Sequence, residues 1–334
     1  MTRYTVIAAA LVFASAANAA AQDIAGRVRQ AGNGTVRLTF ASKPGVCGDG
    51  ETFIATRGWS ADDRGRRTIF RESRGSYNIS TGDGDFANWR DCVEGPVRVA
   101  LEVEQGQVVD MRTYVGGSWG NRDALQVSAR SAVAYLIQLA ESNNTRAGKR
   151  ALTPIILADS VQPAPDLVRL AKNRSVPRET RKSALFWAGE VGDAASVREI
   201  ATLIRDDDQE VGKSALFAIS QQKNDEAART LISAARDKDL STEVRKSAVF
   251  WLGQTASERA TQGLKDMISD ENTEVKKSAV FALSQMKTDK SIDALIELAR
   301  TSKDREVRKS ALFWLGQSND PKAIRLFEEI LLKN

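Results

Sequence analysis

The sequence predicts an α+β multidomain protein, with a small disulfide-linked β-rich N-terminal domain followed by an all-α solenoid. Three observations predict it. A nine-residue motif recurs five times towards the C-terminus, at offsets of 31, 33, 31 and 32 residues, and a period in that range marks stacked repeats. Residues 22–122 carry short alternating apolar segments separated by glycine-rich turns. The two cysteines, Cys47 and Cys92, both fall in that stretch.

Residues 1–21 form a separate segment. Arg3 precedes an apolar run from Val6 to Ala17, followed by Ala17-Asn18-Ala19 and Ala19-Ala20-Ala21. This is the layout of a secretory signal peptide. The run falls short of the roughly 20 apolar residues that a membrane-spanning helix needs. The expectation is a periplasmic or secreted protein with cleavage near Ala19 to Ala21 and no membrane span. An oxidising compartment favours pairing of Cys47 with Cys92, and closing that loop is worth roughly 3–4 kcal/mol in the chain-entropy model. The alternatives are a metal site, for which further ligands are lacking, and two free thiols.

In the β-rich domain, Ile24 to Arg29 and Thr35 to Phe40 read as strands around the turn Ala31-Gly32-Asn33-Gly34. Val97 to Val103 alternates at period two, Gln105-Gly106-Gln107 turns, and Val108 to Val115 returns, which predicts a hairpin. Between them lie Arg64-Gly65-Arg66-Arg67 and Gly82-Asp83-Gly84-Asp85. Asp83-Gly84-Asp85 lacks the rest of a calcium-loop pattern and reads as a glycine turn. The sequons at Asn33, Asn78, Asn143 and Asn173 read as chance matches.

Residues 127–162 predict an opening helix pair, Ser128 to Leu139 and Arg150 to Asp159, after which Pro163 and Pro165 punctuate the chain. Residues 163–334 predict the solenoid, about five repeats plus a C-terminal capping helix. The motif copies begin Arg181-Lys182-Ser183-Ala184, Gly212-Lys213-Ser214-Ala215, Arg245-Lys246-Ser247-Ala248, Lys276-Lys277-Ser278-Ala279 and Arg308-Lys309-Ser310-Ala311. Asp225 to Arg236, Glu258 to Ile268 and Asp289 to Arg300 supply a second helix between copies. Asp193, Asp225 and Asp289 suit N-caps, and Asp320-Pro321 places proline at a first helical position. Asp206-Asp207-Asp208 favours the helix N-terminus that follows. A lone helix pair cannot cover its apolar face, so the pairs must stack.

The pattern Val-Arg-Lys-Ser-Ala-x-Phe-x-Leu-Gly, at Val244 to Gly253 and Val307 to Gly316, resembles the HEAT-repeat family. It is most like the short repeats named after phycobilisome lyases. The resemblance implies a HEAT-type α-solenoid whose second helices line the concave side. It says little about function, because such arrays serve as scaffolds, adaptors and occasionally enzymes. The deoxyhypusine-hydroxylase type carries His-Glu metal motifs, and a chain with no histidine should not inherit that activity. No cofactor signature of the bilin-lyase type is evident, so no cofactor and no metal are assigned.

The absence of histidine also excludes Ser-His-Asp and Cys-His catalysis, histidine-based zinc sites and the commonest neutral-pH base. The expectation is that the protein is not an enzyme. Its net charge of +5 comes from lysines and arginines interleaved with acids, which reads as solvated helix surface rather than a nucleic-acid footprint.

On a helical wheel, Val244, Ala248, Leu252, Trp251 and Ser247 share a core-facing side, and Lys246, Phe250 and Gln254 line the opposite one. Every copy repeats that stripe: Lys182-Phe186-Glu190, Lys213-Phe217-Gln221, Lys246-Phe250-Gln254, Lys277-Phe281-Gln285 and Lys309-Phe313-Gln317. These phenylalanines either line a groove for an extended partner or pack sideways on the next repeat. Trp187, Trp251 and Trp314 alternate with Ala218 and Ala282, as expected if large residues in one layer fit small ones in the next. The functional expectation is an exported scaffold or adaptor that binds a protein or peptide through the concave face. A lyase-like enzyme accessory without histidine chemistry and a structural envelope protein stay open as alternatives.

Overall fold

The computed structural model describes residues 23–51, 53–57, 67–73, 76–82, 92–222, 224–255, 257–286 and 288–332. The leader-like segment 1–21, residues 64–66 and Asp83-Gly84-Asp85 lie outside the described residues. The chain divides into two compact units, Met1–Val191 and Gly192–Asn334.

The first unit opens with a helix over residues 23–31 (α1), where a strand was expected from Ile24 to Arg29. Ile24 and Val28, both buried, stand four apart, a spacing that strand alternation and a helical face share. The strands follow as β1 (Gly34–Phe40), β2 (Val46–Gly48), β3 (Phe53–Arg57), β4 (Arg67–Ser73), β5 (Ser76–Gly82), β6 (Val93–Glu94), β7 (Val97–Glu104), β8 (Gln107–Val115) and β9 (Leu125–Gln126). They form a four-stranded sheet in the order β8-β7-β1-β9 and a five-stranded sheet in the order β5-β4-β3-β2-β6. The β7–β8 hairpin turns at Gln105 and Gly106, whose φ values of 50° and 74° are those a two-residue primed turn requires.

Helices α2 (Ala129–Glu141) and α3 (Thr145–Leu157) pack on β1, β7 and β8, while β2 and β3 of the second sheet also touch β8. The central strand β7 is buried on both sides, through Val97, Val99 and Leu101 and through Arg98 and Ala100. The opening helix pair is fastened to the hairpin by specific bonds. The Asn144 side chain caps α3 by accepting from the Ala147 N–H and donates to the Val108 and Val109 carbonyls at 3.0 Å. Arg150 forms an ion pair with Asp110. The α3 helix therefore begins five residues before Arg150, at a cap that lies inside one of the apparent sequons.

Arg98 is a buried cation held by carbonyls. Its guanidinium donates to Gly116 O at 2.7 Å, Ser118 O at 2.8 Å and Gly50 O at 2.6 Å, and it lies 4.7 Å from the Trp119 ring centroid. Cys47 in β2 and Cys92, beside the paired strand β6, form the expected disulfide, with a Cα–Cα distance of 5.2 Å. The first motif copy also belongs to this unit: α4 (Ala164–Lys172) and α5 (Arg178–Val191) pair with each other, and α5 packs on α3.

The second unit comprises α6 (Ala194–Ala201), a 3-10 turn (Thr202–Arg205), α7 (Gln209–Gln221), α8 (Asp225–Arg236), α9 (Thr242–Gln254), α10 (Glu258–Met267), α11 (Thr273–Gln285), α12 (Asp289–Thr301), α13 (Arg305–Ser318) and α14 (Pro321–Leu332). Asp193 caps α6 in a capping box, and Asp208 caps α7. At α8 and α12 the caps are Asn224 and Thr288 rather than Asp225 and Asp289. Their backbones are extended, as a cap needs, and the aspartates fall in the first turn, where a negative charge favours the helix dipole.

Successive motif helices meet through two kinds of contact. Phe217 of α7 packs on Trp251 of α9 with centroids 4.7 Å apart, and Phe281 of α11 packs on Trp314 of α13 at 5.1 Å. Between these, α9 meets α11 through small residues: a Cβ on Gly253 would lie 2.8 Å from that of Ala282. The Trp/Ala alternation is thus a packing device, with aromatic and small interfaces in turn.

The motif arginine seals the inner side. Arg245 donates Nε to Ala235 O at 2.9 Å and pairs with Asp270, both side chains almost fully buried. Arg181 makes the equivalent bond to Ala171 O at 2.7 Å. In the second copy glycine replaces this cation, because the Ile204 carbonyl would lie 2.8 Å from a Cβ on Gly212. Burial alone would raise the Asp270 carboxyl, but the Asn272 N–H and the Arg245 guanidinium hold it below its ordinary value.

These contacts generate three predictions. Replacing both cysteines by serine should lower unfolding free energy in urea by about 3–4 kcal/mol, because the bridge closes a 45-residue separation. Arg245→Met should cost about 3–5 kcal/mol at neutral pH by leaving a buried carboxylate unpaired. The depressed Asp270 carboxyl contributes stability above its unfolded pKa of about 3.9 and loses it as pH falls through the native value. The gap between wild type and Arg245→Met should therefore narrow in acid. Gly253→Val should destabilise by about 1–3 kcal/mol, whereas Gly316→Val, with only Phe327 Cζ at 3.9 Å, should leave the unfolding midpoint unchanged or higher.

Candidate functional site

Within each motif helix the Lys, Phe and Gln positions lie four apart, one above the next on a single face. The core-facing side of α9 is Val244, Ala248, Val249 and Leu252, joined by Arg245. Trp251 and Ser247, expected on that side, are half-buried at its flanks. Adjacent residues of the Arg-Lys pair therefore part company, since successive positions are about 100° apart: Arg245 turns inward and Lys246 outward.

Each motif lysine has an acidic partner one turn back. Lys182 pairs with Glu179 at 3.4 Å, Lys213 with Glu210 at 3.0 Å, Lys246 with Glu243 at 3.2 Å, Lys277 with Glu274 at 3.6 Å and Lys309 with Glu306 at 3.6 Å. The full stripe is Glu-Lys-Phe-Gln, and sequence reasoning missed its acidic row although the three-residue spacing is visible in every copy. Such exposed pairs are worth under about 1 kcal/mol each. Their effect is to make the face locally neutral and to lay lysine stems alongside the phenylalanines.

The phenylalanines do not share one environment. In the first unit, Phe186 is half-buried and packs edge-on against Trp187 at 4.8 Å. In the second unit, Phe217 and Phe281 are half-buried beneath the tryptophan of the following helix. Phe250 and Phe313 are 40% and 58% exposed, and each packs edge-on against its own neighbour, Trp251 at 4.8 Å and Trp314 at 4.9 Å. The residue equivalent to Trp251 in the repeat after Phe250 is Ala282, too small to cover a ring. Groove-lining and sideways packing thus alternate along the same stripe. Gln254, Gln285 and Gln317 are exposed beside it, and Gln221 and Glu190 are half-buried.

A concavity of about 930 Å³ lies over α8, α10 and α12. Its charges are mutually satisfied: Arg236 with Asp266, Arg259 with Asp225 at 3.5 Å, and Lys290 with Glu258 at 2.7 Å. Among the described residues no group of three or more His, Cys, Asp or Glu side chains could hold a metal ion. Among the same residues no helix is long and apolar enough to cross a membrane.

Comparison with known proteins places this geometry. The family model for HEAT repeats matches residues 230–316 and 265–334. No curated protein is significantly similar in sequence. Solved structures similar to this chain include the complex of CpcE and CpcF of phycocyanin lyase from Nostoc sp. PCC7120, at 20% identity, 46% of this chain, 97% of that one and a TM-score of 0.33. A designed armadillo repeat protein in complex with the peptide (KR)4 matches at 23% identity over 57% of this chain and 92% of the other, with a TM-score of 0.29. Human deoxyhypusine hydroxylase in complex with glycerol matches at 19% identity over 57% and 74%, with a TM-score of 0.32. The helix pairs of residues 230–334 are HEAT repeats.

Proposed function

We propose that this protein is an exported, non-enzymatic scaffold that binds a protein or peptide segment across the motif-helix face of its second unit. The observation that carries the proposal is the exposure of Phe250 and Phe313 on a face otherwise tiled by self-paired Lys–Glu couples. Apolar side chains rimmed by neutral polar groups mark interaction surfaces, and such a face offers little electrostatic attraction to nucleic acid. Gln254, Gln285 and Gln317 add exposed side-chain amides that can both donate to and accept from a peptide backbone. The leader-like residues 1–21 and the Cys47–Cys92 bridge support export, since disulfides persist in oxidising compartments. The missing histidine supports a role without acid–base catalysis at neutral pH.

Peptides selected from a displayed random library on the purified protein test the reading. Selected sequences should carry apolar anchors, and Phe250→Ala with Phe313→Ala should weaken their binding at least about tenfold, as for hot-spot truncation, while the urea midpoint stays nearly unchanged. Binding that survives both substitutions would contradict it. So would a stability loss of roughly 3 kcal/mol or more, which would mark the rings as core.

A further inference from the structure

The four-stranded sheet leaves a short length of β1 open. Val127 N–H donates to Thr39 O and Asp159 N–H to Ala41 O, each at 3.0 Å, so the odd-numbered residues of β1 turn their peptide groups away from β7. Thr35 and Arg37 follow the same alternation. β9 pairs only with Leu38 and Thr39, and among the described residues no strand lies beside Thr35 on this side, where the residue is exposed. Unpaired edge groups of this kind are a template for another chain. A notch of about 270 Å³ adjoins them, walled by α1 at Arg27 and Gln30 and by the chain from Asp123 to Leu125.

The notch is basic. Asp123 is matched by Arg27 at 3.1 Å, which leaves Arg37 over. Arg37 is half-buried. Its guanidinium meets the Trp119 ring, 5.7 Å from the centroid, and among the described residues it donates to no carbonyl or carboxylate. Arg98, on the neighbouring strand, gives its N–H groups to three carbonyls. A half-buried donor fork without an acceptor is completed best by a carboxylate, which takes two parallel hydrogen bonds. β9 begins at Leu125, which closes the notch at its Leu38 end, so a strand added beside Thr35 has to stop there. Running in the sense of β9, parallel to β1, it presents its C-terminus at Arg37. The opposite sense brings an N-terminal ammonium against the same cation. Charge therefore selects the C-terminus. From Thr35 to Arg37 the edge accommodates about two residues of extended chain, at roughly 3.3 Å per residue.

We propose that the notch between β1 and β9 captures the free C-terminus of a polypeptide, adding its last two residues as a short strand beside Thr35 and seating the terminal carboxylate on Arg37. This is independent of the role of the phenylalanine face. Hexapeptides with free C-termini, selected from a random library on the full chain carrying Phe250→Ala and Phe313→Ala, test it, with affinities for the wild-type chain read by fluorescence polarisation. Replacing the terminal carboxylate of a selected peptide by an amide should weaken binding to the wild-type chain at least about tenfold, as when one partner of a hydrogen-bonded charge pair is removed. Arg37→Gln should weaken the free acid by a similar factor, cost the amide nothing more, and leave the thermal midpoint unchanged. N-methylation of the peptide's last peptide bond should weaken binding by breaking the edge pairing. Acid and amide forms that bind the wild-type chain equally overturn the proposal without recourse to any variant of Arg37. A selection that returns no carboxylate-dependent binder overturns it too. So does sodium acetate that competes as well as the peptide mole for mole, since that marks a plain anion pocket.

Discussion

The second unit depends on the contact between one motif helix and the next. Where tryptophan meets phenylalanine, as at Trp251 and Phe217, the two helices are held apart by a pair of rings. Where Gly253 meets Ala282 there is not room for one added methyl group. A stack built from one interface alone would be uniform. Alternating the two gives the repeat a period of two, and that period decides which side chains reach solvent. Phe217 and Phe281 serve as packing beneath Trp251 and Trp314, while Phe250 is left open because Ala282 stands where a tryptophan would cover it, and Phe313 is exposed as well.

Polar chemistry follows the same division. The inward arginine of the motif satisfies a carbonyl at the end of the preceding helix and, at Arg245, a buried carboxylate. The outward lysine is matched by a glutamate of its own helix. Charge is therefore spent within the chain on both sides of the motif helix, and the surface that results owes its character to apolar rings and side-chain amides. In the first unit Arg98 plays a comparable part without any carboxylate: three backbone carbonyls and an indole face hold it, and the adjoining segments at Gly50 and at Gly116 to Ser118 are tied to β7 through it.

The repeat, the β7–β8 hairpin and the disulfide were legible in the sequence because each has a local signature: a period, a turn residue, a pair of cysteines. The misreadings have a common cause, which is that spacing is degenerate. Ile24 and Val28 satisfy both a strand and a helix, and only the core they meet decides between them. The sequence places the start of α3 at Arg150, because only the position beside β8 shows Asn144, the middle residue of a chance sequon, to be a cap. Arg245 reads as a surface cation until the Ala235 carbonyl and Asp270 are placed around it. The stripe Lys-Phe-Gln was visible in full, but the unequal exposure of its phenylalanines was not, because at Phe217, Phe250 and Phe281 it is fixed by a residue about 32–34 positions downstream, respectively Trp251, Ala282 and Trp314.

That inequality is the central claim, and fluorine NMR measures it most directly. With 4-fluorophenylalanine incorporated and resonances assigned by single Phe→Leu substitutions, a soluble paramagnetic agent should broaden the signals of Phe250 and Phe313 strongly and those of Phe217 and Phe281 weakly. Equal broadening of all four, or stronger broadening at Phe217 and Phe281, would contradict the account.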